Sequence, residues 1–228
     1  MDLTTKKELI SYLSGFISEP RRQRMETVVS QRTNYLHIVL ENMYQAHNAS
    51  AVLRSCDCFG IQNVHFIENK NHLKISDDVA MGSSNWLNIH RHKQTEQNTA
   101  PALTELKRAG YRIVATTPHK NDFTIDTLPI NQKMALVFGT EIDGITPEVL
   151  ALADDFVKIP MFGFTESFNV SVCAALCMYE LTKRMRAEVS DYYLTEAEQT
   201  EVYFNWLRTT INKGDLLVER YLESKQRV

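Results

Sequence analysis

Residues 156–186, FVKIPMFGFTESFNVSVCAALCMYELTKRMR, constrain the fold of this chain more than any other segment. A β-prone run ends at Ile159, and Pro160, which has no backbone N–H to donate, prevents it from continuing as a central strand. The chain then passes through Met161, Phe162, Gly163, Phe164, Thr165, Glu166, Ser167 and Phe168 to Asn169. Asn169 and Ser167 are both good N-cap types, and 170–181 is apolar on nearly every face, which predicts a buried helix with its N-terminus aimed into the loop. Strand, loop and buried helix in that order form the ligand-binding end of an open α/β sheet. Polar cappers interleaved with Phe162, Phe164 and Phe168 predict a pocket for a small, partly apolar molecule, against the plainer reading of a tight connection without a ligand.

The rest of the chain supplies the sheet. Positions 3–17 and 19–33 read as two helices, with Pro20 in the first turn of the second. Strands follow at 35–41, 63–68, 111–117, 134–138 and 156–159, and helices at 48–59, 99–109 and 147–153, with Gly60 and Gly110 as stops. The stretch holding Gly82, Trp86, His90 and His92 is polar and poorly periodic and reads as a connection. Positions 195–223 form a terminal helical pair broken near Gly214. Alternating strands and helices predict an α/β protein with a parallel sheet. The domain reading is a helical extension at 1–33, the sheet domain at 34–186 and a second helical extension at 187–228.

The 43% hydrophobic content is ample for a core in 228 residues. No apolar run reaches the roughly 18 residues of a membrane span, and the first residues lack the apolar stretch of a leader, so a cytoplasmic protein is expected. Cys56, Cys58, Cys173 and Cys177 contain no CxxC pair, so buried free thiols are expected and no metal site. A net charge of −3 argues against indiscriminate nucleic-acid binding, yet charge is segregated: 19–32 holds four arginines, and 188–201 is acidic. Arg21, Arg24 and Arg32 fall on one helical stripe, suited to phosphates or to a solvated face paired with Glu19 and Glu26. Lys183, Arg184 and Arg186 form a second basic cluster.

None of the eight glycines makes the dinucleotide fingerprint, and the frame Gly139 to Thr146 has Ile145 where a phosphate-binding lysine belongs, with Glu141 and Asp143 inside. Three segments taken together are more specific: HNASAVLR at 47–54, LVFGTEIDGI at 136–145, and 159–171 with Ile-Pro-Met and Ser-x-Asn-Val-Ser. They resemble the three motifs of the SpoU branch of the SPOUT methyltransferases, over about residues 20–186. The Arg-rich flank and Val39-Leu40-Glu41-Asn42 are most similar to the members that methylate tRNA guanosine, while Thr165-Glu166, Phe168 and Thr140 depart from the usual pattern.

The resemblance implies a deep trefoil knot, a homodimer, and transfer of a methyl group from S-adenosylmethionine to a ribose 2′-hydroxyl, that of guanosine 18 in the tRNA D-loop. A ribosomal RNA substrate and a non-catalytic RNA-docking module are the alternatives. It implies a cofactor site lined by Thr116, Gly139, Ile159, Met161, Ser167 and Phe168, largely through backbone groups. It casts Arg54 as the group that activates the hydroxyl, with Asn48, Glu141, Ser167 and Asn169 supporting it. Periodicity by itself pairs Arg54 with Asp57, one turn on. RNA phosphates fall to Arg21, Arg24, Arg32, Lys183, Arg184 and Arg186.

Overall fold

The computed structural model describes residues 1–70, 82–140 and 143–226. The chain divides into two compact units, Thr33–Tyr192 on one hand and Met1–Arg32 with Tyr193–Val228 on the other. The helical extensions that the sequence separates therefore share one unit, because their apolar faces have no other core to join.

In the larger unit, β1 (Leu36–Glu41), β2 (Asn63–Ile67), β3 (Asn88–His92), β4 (Arg112–Thr116), β5 (Phe123–Thr124), β6 (Met134–Phe138) and β7 (Asp155–Lys158) form one sheet. Its order is β3-β2-β1-β6-β4-β7-β5, and every pairing is parallel. The helices are α3 (Ala46–Phe59), α4 (Thr99–Arg108), α5 (Pro147–Leu152) and α6 (Val170–Glu188). Strand residues alternate between two layers of core: Ile38, Leu40, Val114, Leu136 and Phe138 pack with α3 and α6. Val39, Ile113, Ala115, Ala135 and Val137 pack with Ala102, Leu103 and Leu106 of α4 and Val149 of α5. Burial on both faces explains the continuous apolar run of β6 and the apolar Leu36, Ile38, Val39 and Leu40 of β1.

Local signals set the ends of these elements. Gly60 ends α3 at φ +78°, a left-handed conformation that costs a residue without Cβ little. Asn169 caps α6 through Oδ1, which accepts from Ser171 N at 2.9 Å and Val172 N at 3.4 Å. The buried Glu41 carboxylate, at the end of β1, accepts from Thr99 Oγ1 at 2.6 Å and from Thr146 N and Oγ1 at 3.1 and 2.8 Å. It thereby ties the starts of α4 and α5 to the sheet.

Three expectations are corrected here. Asn88–His92 is a strand, because its five residues pair in register with Asn63 to Ile67 although they carry no apolar pattern. Helix α3 begins at Ala46 with Gln45 as its cap, so Asn48 lies inside its first turn. Helix α6 is not buried all round: Val172, Leu176 and Tyr179 are exposed on one face.

The smaller unit contains α1 (Leu3–Ser14), α2 (Glu19–Ser30), α7 (Glu196–Thr210) and α8 (Gly214–Gln226). Leu9, Leu13, Met25, Val29, Val202, Phe204, Trp206 and Leu207 are buried there. Thr195 and Glu198 form a reciprocal capping box at the start of α7. Arg32 is only 1% exposed, with its guanidinium 5.3 Å from the centre of the Trp206 ring. Helix α2 ends at Ser30, so Arg32 has left the helical phase of Arg21 and Arg24 and is withdrawn from the phosphate stripe. A buried guanidinium stacked on indole holds this unit together.

Candidate functional site

All strands being parallel, their carboxyl ends share one edge of the sheet, where ligands of such sheets are received. Between β4, β7 and the start of α6 lies a cavity of about 80 Å³. It is lined by Thr116, Ile159, Met161, Ser167 and Phe168, five of the six cofactor positions implied by the resemblance. The sixth, Gly139, serves the neighbouring turn. A Cβ there would stand 2.0 Å from the Gly144 carbonyl oxygen, so only glycine allows the two backbones to close the Thr140–Gly144 bridge.

Each wall has a local cause. Thr116, at the end of β4, turns its hydroxyl to donate to the Val137 carbonyl at 2.9 Å, which leaves its methyl and backbone for the cavity. Residues 160–168 leave β7 and make no backbone hydrogen bond with any other described residue. Their N–H and C=O groups are open to a ligand that carries both donors and acceptors. Phe168 and Met161 give the cavity an apolar side, whereas Phe162 and Phe164 are fully exposed and take no part in it. Two of the three phenylalanines expected at the pocket are therefore outside it.

Asn169 Nδ2 donates to Asn48 Oδ1 at 3.2 Å, and Asn48 Nδ2 donates to Gln45 Oε1 at 3.0 Å. This chain of amides locks the first turn of α3 to the first turn of α6. Arg54 lies further along α3, is exposed, and among the described residues has no ion pair, so the expected pair with Asp57 is not formed. Glu141 lies outside the described residues.

The basic positions separate. Arg21, Arg24 and Lys183 are exposed, although the Lys183 ammonium is 3.8 Å from the Glu180 carboxylate. Arg186 donates to the Phe59 carbonyl at 2.9 Å. Arg184 donates to the carbonyls of Leu128 at 2.9 Å and Ile125 at 3.3 Å and pairs with Glu188 at 3.4 Å. Its guanidinium is thus spent within the fold, a correction to its phosphate role.

Thr117, Pro118, Val157, Lys158, Cys173 and Cys177 also line the cavity and were not singled out from the sequence. For the cysteines a signal existed: spaced four apart at the start of α6, they face the same way as its cap. The neighbouring Cys177 thiol lowers the Cys173 pKa from the ordinary thiol value, while Cys173 and burial together raise that of Cys177.

Fold and site define a parallel-sheet α/β protein that takes a small ligand at the carboxyl edge, on a backbone loop leading into a capped helix. The SpoU rRNA Methylase family matches residues 35–179. The tRNA (guanosine(18)-2′-O)-methyltransferase of Borreliella burgdorferi is 42% identical over 215 residues, 94% of this chain and 96% of that protein. The protein of the same name from Thermus thermophilus is 33% identical over 193 residues, 84% of this chain and 97% of that one. The crystal structure of the Aquifex aeolicus TrmH/SpoU tRNA modifying enzyme matches with a TM-score of 0.76 at 29% identity, covering 86% of this chain and 98% of that chain. The chain belongs to the SpoU rRNA Methylase family.

Proposed function

We propose that this protein transfers the methyl group of S-adenosylmethionine to the 2′-hydroxyl of guanosine 18 in tRNA. The observation that carries the reading is the cavity built from Thr116, Ile159, Met161, Ser167 and Phe168 beside the Asn48–Asn169 bridge, in a chain 42% identical to a protein with that activity. The residues fit the cofactor: a loop of unpaired peptide groups suits its polar amino-acid and ribose parts, and Met161, Val157 and Phe168 suit its adenine. When bound, S-adenosylmethionine supplies an electrophilic methyl on sulfur.

The chain's own residues supply position. A ribose hydroxyl is a weak nucleophile and must be held in line, which Arg54 does by donating to the hydroxyl and the neighbouring phosphate together. A guanidinium donates and does not accept, so the proton leaves to another group, for which the RNA phosphate is one candidate. Asn48 and Asn169 act at one remove by fixing the two helix starts, and Ser167 by shaping the loop. Glu141 orients the cofactor or Arg54.

The same reading includes the trefoil knot, with the third-motif segment 159–171 threaded through a loop of the chain, and a cytoplasmic homodimer. The exposed Val172, Leu176 and Tyr179 on α6 support the dimer, and among the described residues no helix is long and apolar enough to cross a membrane. RNA phosphates are met by Arg21, Arg24, Lys183 and Arg186. In the helical unit, Arg21 shares the lining of a cavity of about 590 Å³ with Lys213 and Arg220, which supports a phosphate track there.

The test is labelled methyl transfer to unmodified tRNA and to ribosomal RNA, with the product mapped by mass spectrometry of nuclease digests. A methyl on the guanosine 18 ribose is expected. Methylation of ribosomal RNA alone replaces the substrate, and transfer to neither RNA ends the reading.

A further inference from the structure

Two thiols stand in the wall of the cavity that the proposed methyl transfer leaves unused. Cys173 is half-buried and Cys177 is buried, and both line the space beside Met161, Ser167 and Phe168. Cys173 is in the first turn of α6, where its N–H donates to the Asn169 carbonyl at 2.9 Å, so its sulfur sits at the positive end of a helix 19 residues long. A helix N-terminus favours thiolate over thiol, and the neighbouring Cys177 thiol acts on Cys173 in the same direction. Access, helix end and second thiol converge on Cys173. The chain carries its own comparison: Cys58 is exposed on α3 away from the cavity, and Cys56 is buried in the core.

We propose that Cys173 is an oxidisable thiol that the bound cofactor shields, and that its conversion to sulfenic acid by a hydroperoxide closes the cavity to the cofactor. This rests on the reading of the cavity as the cofactor site. In the step, the Cys173 thiolate attacks one peroxide oxygen; an S–O bond forms as the O–O bond breaks. The hydroxide that leaves takes a proton from solvent to become water. Sulfur is oxidised by two electrons and the peroxide is reduced by two. The added oxygen occupies part of a cavity of about 80 Å³ and presents a polar group to its apolar side. Methyl transfer thereby becomes sensitive to peroxide.

The test uses the full chain, S-adenosylhomocysteine as the cavity ligand, and methyl methanethiosulfonate and hydrogen peroxide as probes, read by peptide mass spectrometry and calorimetry. Cys58 is expected to be labelled with or without the ligand, Cys173 only without it, and Cys56 and Cys177 in neither case. The Cys173 labelling rate should rise with pH about a midpoint below the ordinary thiol value of roughly 8.5. Peroxide should weaken ligand binding by ~10-fold or more, the scale of overfilling a packed site. Cys173→Ser, compared with its own untreated sample, should lose that sensitivity, and Cys58→Ser should keep it. If the ligand binds the untreated protein but Cys173 is inert, or is labelled equally with the ligand present, the inference is overturned and the cofactor reading stands. No binding to untreated protein overturns both.

Discussion

Two regions of the larger unit invert the usual rule of burial in opposite directions. On β1 and β2 two imidazoles are taken into the fold, and β3 continues their row toward the surface: His37 Nδ1 lies 3.0 Å from His65 Nε2, and His65 Nδ1 lies 3.1 Å from Nε2 of the half-buried His92. His65 also stacks on His90 at 4.4 Å, and Tyr111 covers His37 at 4.1 Å. At the carboxyl edge, apolar rings are put out: Phe162 and Phe164 are fully exposed, and along α6, which leads away from that edge, Val172, Leu176 and Tyr179 are exposed as well. Buried polar groups that pack on one another belong to the fold, even where one atom, His37 Nε2, has no hydrogen-bond partner among the described residues; exposed apolar groups are unfinished and wait for a ligand or a second chain. Stability should therefore respond to the histidines, and function to the edge.

The largest effect that sharpens this contrast is expected at Arg54, an exposed cation on α3 to which the proposed function assigns the ribose hydroxyl. Arg54→Ala should lower single-turnover methyl transfer by at least ~10²-fold, the low end for losing a group that handles a proton or charge in the transition state. The unfolding free energy should move by no more than about 0.5 kcal/mol, as for other surface changes. Lys should not restore the rate, because a point charge cannot replace a planar fork. Rapid-quench kinetics beside urea titration would show it, and a near-normal rate would leave Arg54 an ordinary surface charge.

The histidines should give a comparable energy in the opposite observable. Burial holds the pKa of His37 down to about 3, with His90 and Lys133 adding repulsion, and that of His65 down to about 2, with the other histidines adding theirs. The folded chain keeps both rings neutral while the unfolded chain protonates them near pH 6.5, so stability is complete above that pH and lost on going below it. Each ring contributes ~1.4 kcal/mol per pH unit in that window, so about 3 kcal/mol should vanish between pH 7.5 and 5.5. A urea midpoint that does not change between those pH values would break the contrast.

How these regions could be read in advance differs for the same reason. The parallel architecture was legible because strands alternate with helices and because β6, buried on both faces, is apolar throughout and β1 is so at Leu36, Ile38, Val39 and Leu40. Four of the five cavity residues, Ile159, Met161, Ser167 and Phe168, were legible through the resemblance of the third motif, which puts them on one short loop; Thr116 came from the same resemblance but stands on β4. Strand β3 was not, since Asn88 to His92 gains its strand character from β2, and the histidines share a face only once that register exists. Arg32 misled for a related reason: its partner Trp206 is remote in sequence, and periodicity assigned it to a stripe that α2 does not extend to reach. Cys173 and Cys177 looked like core from composition, and only the cavity gives them a face.

On α6, Leu176→Ser removes one exposed apolar side chain from the stripe. The proposed dimer should dissociate about tenfold more readily, ~1.4 kcal/mol, within the range for burying a leucine at an interface. Sedimentation equilibrium reads this directly. An unaltered association constant would mean that the stripe faces solvent in the working protein.

The smallest effect belongs to Phe164, and it separates a ligand from a second chain as the group that covers the loop. Its ring touches solvent on all sides, so Phe164→Ser removes no packing from the folded chain, and urea unfolding without ligand should shift by less than about 0.5 kcal/mol. The loop's unpaired peptide groups imply that it tightens when the cofactor arrives, and a ring carried partly under cover would lose roughly half of the ~1.5–3 kcal/mol of full burial. S-adenosylhomocysteine should then bind the variant about fivefold more weakly by calorimetry, with the dimer constant unchanged. Equal affinity together with a weakened dimer would assign Phe164 to the partner chain, joining it to the Leu176 stripe.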